Sequence, residues 1–126
     1  MRRTAKSTSI LLGCAALALT PTGATAQSNS PPVTTDDFAT TGRCGIVTKN
    51  VVANDTDPEG NYPLTITAVY YNGSKGTAFA VSGTDIEFES SGSTGTAAIS
   101  YTVSDSLGAT STGTFTVTIN SVFMCW

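Results

Sequence analysis

Apolar and polar residues alternate along most of this chain beyond residue 32. Leu64, Ile66, Ala68 and Tyr70 interleave with Thr65, Thr67, Val69 and Tyr71, and Ile86 and Phe88 interleave with Asp85, Glu87 and Glu89. Ile99, Tyr101 and Val103 alternate with Ser100, Thr102 and Ser104, while Phe115, Val117 and Ile119 alternate with Thr114, Thr116 and Thr118. Successive side chains of a strand point to opposite faces, so a period of two predicts half-buried strands. Weaker runs near 33–39, 46–53 and 77–81 bring the strands to seven. Nothing beyond residue 26 carries a convincing helical period. Asn72-Gly73, Ser82-Gly83, Ser91-Gly92-Ser93 and Asp105-Ser106-Leu107-Gly108 punctuate the strands with turn-forming residues.

Seven short strands within about 90 residues predict an all-β, seven-stranded, immunoglobulin-like antiparallel sandwich. It is not of the antibody type, because the only tryptophan, Trp126, ends the sequence and no Cys–Trp–Cys triplet exists. The sandwich is expected over residues 33–120. A polar segment over 27–32, ending in Pro31-Pro32, reads as a flexible lead-in, and an apolar tail carrying Cys125 occupies 121–126.

The first 26 residues have a different character. Arg2, Arg3 and Lys6 precede an apolar run from Ile10 to Leu19, and Ala24-Thr25-Ala26 follows. This order is that of a secretory signal peptide, cleaved before Gln27, and the run is too short to span a bilayer. Cys14 lies inside the apolar run, whereas a lipidated cysteine should close it, so a lipoprotein anchor is not expected. The predicted location is outside the cytoplasm, secreted or at the cell surface, with no transmembrane anchor. Three of the six basic residues lie in the leader and all nine acids lie beyond it, so three bases face nine acids and the net charge moves from −3 to −6. Such a surface argues against nucleic acid and anionic membrane as partners.

The ordered pieces Asp36-Asp37-Phe38, Asn50-Val51-Val52-Ala53-Asn54-Asp55-Thr56-Asp57-Pro58-Glu59-Gly60, Leu64-Thr65-Ile66-Thr67-Ala68-Val69, Ile99-Ser100-Tyr101-Thr102-Val103-Ser104-Asp105 and Gly113-Thr114-Phe115-Thr116-Val117-Thr118-Ile119 carry a resemblance. Together they resemble the bacterial cadherin-like, Ig-like repeat domains of exported surface proteins. Two features depart from that pattern: the chain holds one copy and no internal repeat, and Val122-Phe123-Met124-Cys125-Trp126 has no counterpart. In such a sandwich the first strand runs beside the seventh in the same direction. The start of the first strand and the turns after the second and sixth strands then share one pole. That gathers Asp36, Asp37, Asn54, Asp55, Asp57, Glu59 and Asp105. The resemblance implies a calcium site there, and oxygen donors of this kind suit a hard cation that takes six to eight of them. The same residues are also ordinary turn formers.

Cys44 and Cys125 fall at the opposite pole, where an exported pair is expected to form a disulfide. Phe123, Met124 and Trp126 would then cover the open end of the sandwich or form a small contact patch. With no histidine in the chain, Ser-His-Asp, Cys-His and histidine–zinc chemistry are excluded. Glu87 and Glu89 share one strand face at i, i+2, which reads as an outward acidic face more than as a glycosidase pair. The expected function is non-enzymatic: surface adhesion, or an extracellular structural or binding unit, calcium-stiffened, meeting a protein or glycan at the cell surface. The alternatives are a small carbohydrate binder stacking sugars on Tyr70 and Tyr71, or a secreted inhibitor or effector that presents its tail. Adjacent tyrosines on a strand favour one of the two pointing inward.

Overall fold

The computed structural model describes residues 28–125, so the leader with Cys14, and Trp126, lie outside the described residues. Seven strands follow one another: β1 (Asp37–Arg43), β2 (Ile46–Asn50), β3 (Thr65–Tyr70), β4 (Gly76–Ala80), β5 (Asp85–Ser90), β6 (Gly95–Ser104) and β7 (Thr110–Phe123). They form a four-stranded sheet in the order β1-β7-β6-β3 and a three-stranded sheet in the order β2-β5-β4. The chain is an all-β, Ig-like sandwich. Among the described residues, no helix is long and apolar enough to cross a membrane.

Alternation decides what fills the space between the sheets. Ile99, Tyr101 and Val103 of β6, Phe115, Val117 and Ile119 of β7, Ile66 of β3, and Ile86 and Phe88 of β5 are all buried in one core. Removing such side chains from water is worth about 1.5–3 kcal/mol each. Tyr71 also turns inward, its ring meeting Phe88 edge-on with centroids 5.7 Å apart. Gly113 faces inward opposite Tyr101 on β6. A Cβ there would lie 2.5 Å from the Tyr101 ring, so only glycine leaves the ring its place.

β1 pairs parallel with β7, from Asp37 against Phe115 to Arg43 against Phe123. The first strand, expected over 33–39, begins instead at Asp37. Residues ahead of it are used otherwise: Val33 bridges Thr56 as an isolated pair, and the Thr35 N–H donates to Asp55. The last strand, expected to stop at Asn120, continues to Phe123, since its end still has Arg43 to pair with.

The outward faces of the sheets differ. Ile46, Thr48, Phe79, Glu87 and Glu89 project from the three-stranded sheet, with Glu87 accepting from the Thr48 hydroxyl. On the four-stranded sheet, the outward positions of the two central strands pair Ala98 with Thr116, Ser100 with Thr114 and Thr102 with Thr112.

Candidate functional site

The acids singled out from the sequence separate into two groups at one end of the sandwich. The first surrounds Tyr101. Its hydroxyl lies 3.1 Å from Asp37 Oδ2, 3.3 Å from Asp55 Oδ2 and 3.1 Å from the Val51 carbonyl oxygen. A phenol has one proton to donate, so three acceptors compete for it. Asp55 Oδ1 accepts from the Thr35 N–H at 2.8 Å. Burial raises the Asp37 carboxyl above its ordinary value, outweighing the lowering by the Tyr101 hydroxyl, Lys49 and the Asn54 amide. Burial likewise raises Asp55, with the Asp37 charge adding to it, against the lowering from the Thr35 N–H and the Tyr101 hydroxyl. The same desolvation and the two neighbouring carboxylates push the Tyr101 hydroxyl far up, which keeps its proton in place. Asp36 is exposed, just outside this group.

The second group belongs to the turns after β2 and β6. Asp57 Oδ1 accepts from the N–H groups of Glu59 and Asn61, each at 3.0 Å. Asp105 Oδ1 accepts from the N–H groups of Leu107 and Ala109, each at 2.9 Å, and from the Asn29 amide at 3.3 Å. Gly60 and Gly108 close these turns at positive φ, 75° and 98°, which residues with a side chain rarely adopt. Burial pushes the Asp105 carboxyl up, but the Ala109 and Leu107 N–H groups and the Asn29 amide together hold it below its usual value.

The lead-in ties the two turns together. Asn61 donates to Asn29 Oδ1 at 2.8 Å, Asn29 donates onward to Asp105, and the Ser30 N–H donates to Glu59 at 3.1 Å. Residues 28–32, read from the sequence as flexible, are therefore hydrogen-bonded across this pole. Ser28, Asn29, Glu59, Asn61 and Leu107 line a cavity of about 230 Å³ there.

Two oxygens stand apart. Asp57 Oδ2 and Asp105 Oδ2 are buried with no hydrogen-bond partner, on residues only 7% and 5% exposed. A buried carboxylate oxygen without a donor is costly and is normally satisfied, and it is a hard anionic donor of the kind calcium selects. Among the described residues, no three Asp, Glu, Cys or His side chains gather as a complete metal cluster. Each of the two is left as a hard anionic oxygen without a donor. Their lack of partners is invisible in the sequence. Tyr101, the hub of the first group, was legible there only as one more inward residue of β6.

Cys44 and Cys125 are joined by a disulfide at the opposite pole, their Cα atoms 4.9 Å apart across a separation of 81 residues. Cys44 sits in the turn between β1 and β2 with φ 60°. Beside it, the buried Ser90 hydroxyl donates to Gly42 O at 2.7 Å and accepts from the Gly45 N–H at 2.9 Å. The Arg43 guanidinium lies 4.6 Å over the Phe123 ring. Phe123 and Met124 remain substantially exposed.

A family model described as a bacterial Ig domain matches residues 29–118. Among solved structures, a nucleoside hydrolase-related hypothetical protein from Saccharophagus degradans, described as associated with carbohydrate metabolism, superposes with a TM-score of 0.55 at 14% identity. The match covers 74% of this chain and 26% of that one, so this chain spans about a quarter of that protein's length. At that identity the likeness shows the fold alone. No curated protein matches the chain.

Proposed function

The chain belongs to the bacterial Ig domain family, and from that premise we propose an exported, non-catalytic module for surface adhesion or extracellular structure, whose acidic pole takes calcium. Ig-like domains of this family occur in surface or exported proteins, which agrees with the leader-like start of the sequence. The observation that carries the calcium reading is the pair of unpartnered buried oxygens, Asp57 Oδ2 and Asp105 Oδ2. Those two residues would hold the ion from neighbouring turns, with Glu59 on the turn of Asp57 and neutral oxygens completing the shell. A bound cation would supply positive charge where these two Oδ2 atoms now lack donors. Asn29, bonded to Asp105 and Asn61, would transmit that stabilisation to the lead-in.

Melting the protein in chelator, in millimolar calcium and in millimolar magnesium tests this. A ligand that binds only the folded state raises stability by RT ln(1 + [L]/Kd), on the order of 1 kcal/mol for a millimolar-affinity site. For a domain this small that is a shift of several degrees. Magnesium should do less, since it demands a tighter octahedral cage. Asp57→Asn should abolish the calcium shift while the protein stays folded in chelator. Identical curves in all three buffers would overturn the calcium reading and leave an Ig-like module without an ion.

A further inference from the structure

We propose that the outward face of the four-stranded sheet is a binding platform for a neutral polysaccharide chain, with Phe38 and Tyr70 stacking on sugar rings at its two margins. Both rings are unusually bare, Phe38 at 65% exposure and Tyr70 at 64%. Their registers place them on one face. Phe38 of β1 pairs with Thr116 of β7, itself opposite Ala98 of β6. Tyr70 of β3 pairs with Ser100 of β6, itself opposite Thr114 of β7. The two rows are adjacent and project to the same side as the hydroxyls between them. Three strand spacings separate β1 from β3, so the aromatic residues lie about 14 Å apart across the sheet. A short oligosaccharide spans that distance.

Charge is what singles this face out. The net charge of the chain is −3, and the other sheet carries Asp85, Glu87 and Glu89 along β5. The outward positions of β6 and β7 hold no charged side chain at all; from Thr110 to Asn120 and from Thr96 to Ser104 they are Thr, Ser, Ala and Asn. On β1, Asp37 turns inward and Arg43 lies at the disulfide end. Asp36, just before β1, is the one carboxylate beside Phe38, placed to accept from a sugar hydroxyl at the rim.

An uncharged face offers no cations to nucleic acid. Nor does it present the contiguous apolar centre of a protein interface, because its apolar groups sit at the margins and its hydroxyls in the middle. A neutral sugar polymer has the complementary chemistry. Its ring faces are apolar enough to stack on aromatic rings. Its hydroxyls both donate and accept, as those of Ser and Thr do, and its repeat suits the regular spacing of a β-sheet. The sequence offered Tyr70 and Tyr71 as a stacking pair only as an alternative, with one of the two expected to point inward. Tyr71 packs on Phe88 and donates nothing to the surface, and Phe38, three strands away, takes its place. The platform is separate from the acidic pole, so it does not rest on the calcium reading.

The test uses the secreted full chain in chelator, so that calcium plays no part. Soluble mixed-linkage β-glucan and xylan are the probes in native affinity electrophoresis, and insoluble cellulose and chitin in depletion assays, with alginate as the acidic control. At least one neutral polymer should bind wild type more tightly than alginate does. Phe38→Ala and Tyr70→Ala should each weaken that binding roughly tenfold or more, with unchanged melting temperature because both side chains are exposed. Thr116→Glu should weaken it as well, while the double variant Glu87→Gln/Glu89→Gln should bind like wild type. Absence of binding to every neutral polymer would overturn the proposal. So would binding indifferent to both aromatic substitutions, or lost equally in the Glu87/Glu89 variant.

Discussion

The hydroxyl of Tyr101 lies 3.1 Å from Asp37 Oδ2, and that one proton is shared with Asp55 Oδ2 and the Val51 carbonyl. A buried pair of carboxylates around a single donor is short of protons. The shortage makes stability depend on pH in an unusual direction.

Asp37 and Asp55 are raised from the ordinary value of 3.8, so the folded state keeps protons that the unfolded chain has already released. Their contribution is full below that ordinary value and is lost as pH rises through the raised folded ones. Asp105 has the opposite sign: its carboxyl is lowered, and its contribution is lost as pH falls through its folded value. Stability should therefore peak at mildly acidic pH and decline towards neutrality. Melting curves recorded from about pH 3 to about pH 8 check this, and Asp55→Asn should flatten the neutral-side decline. A wild-type profile that rises steadily to pH 7 would contradict it.

Tyr101→Phe removes the donor and leaves three buried acceptors unserved. It should cost about 2–3 kcal/mol in urea unfolding at neutral pH, and less at mildly acidic pH, where a carboxyl proton replaces the phenol's. Tyr70→Phe, on an exposed ring, should cost almost nothing.

Gly113→Val places a branched side chain where a Cβ alone would come within 2.6 Å of the Tyr101 hydroxyl. The ring is held by its hydrogen bonds and cannot simply swing away. A loss of about 2–3 kcal/mol is expected, read by denaturant midpoint, whereas Thr112→Ala next to it, on the exposed side, should be mild.

Cys44→Ser opens a loop of 81 residues. The chain-entropy model assigns such a closure about 4 kcal/mol, so the variant should melt well below wild type, and wild type under reductant should match it. Native protein titrating with two free thiols would be the contrary result.

Period-two alternation made the strands legible, because one face of each sheet must be buried. Unbroken alternation groups Tyr70 with Leu64 and Ile66, yet a register shift between Ile66 and Ala68 reverses the faces, so Val69 and Tyr71 turn to the core and Tyr70 faces out. Strand ends were less legible: Val33 to Asp36 look like strand residues, yet their backbone is engaged by Thr56 and Asp55, a tertiary contact that no local pattern records. The acidic residues were visible as a set, but not their division. Whether a carboxylate faces Tyr101, as Asp55 does, or turns back on its own loop, as Asp57 does, depends on a turn geometry that residue types alone do not fix. The lead-in was misleading for a related reason. Asn29 and Ser30 have no core to build, but they satisfy polar groups that other loops leave open.

The bridge between Cys44 and Cys125 has a mechanical meaning. Suppose the chain is pulled from the lead-in at one end and from beyond Cys125 at the other. The covalent path then runs along β1 to Cys44, crosses the sulfurs and leaves at Cys125. Residues 45–124 lie off this covalent path as a closed ring that pulling cannot unravel. Of the seven strands only β1 lies on the covalent path, held in shear by its parallel hydrogen bonds to β7, while the other six cannot be drawn out of the fold. Even with β1 torn free, the thread could lengthen only by the residues ahead of Cys44.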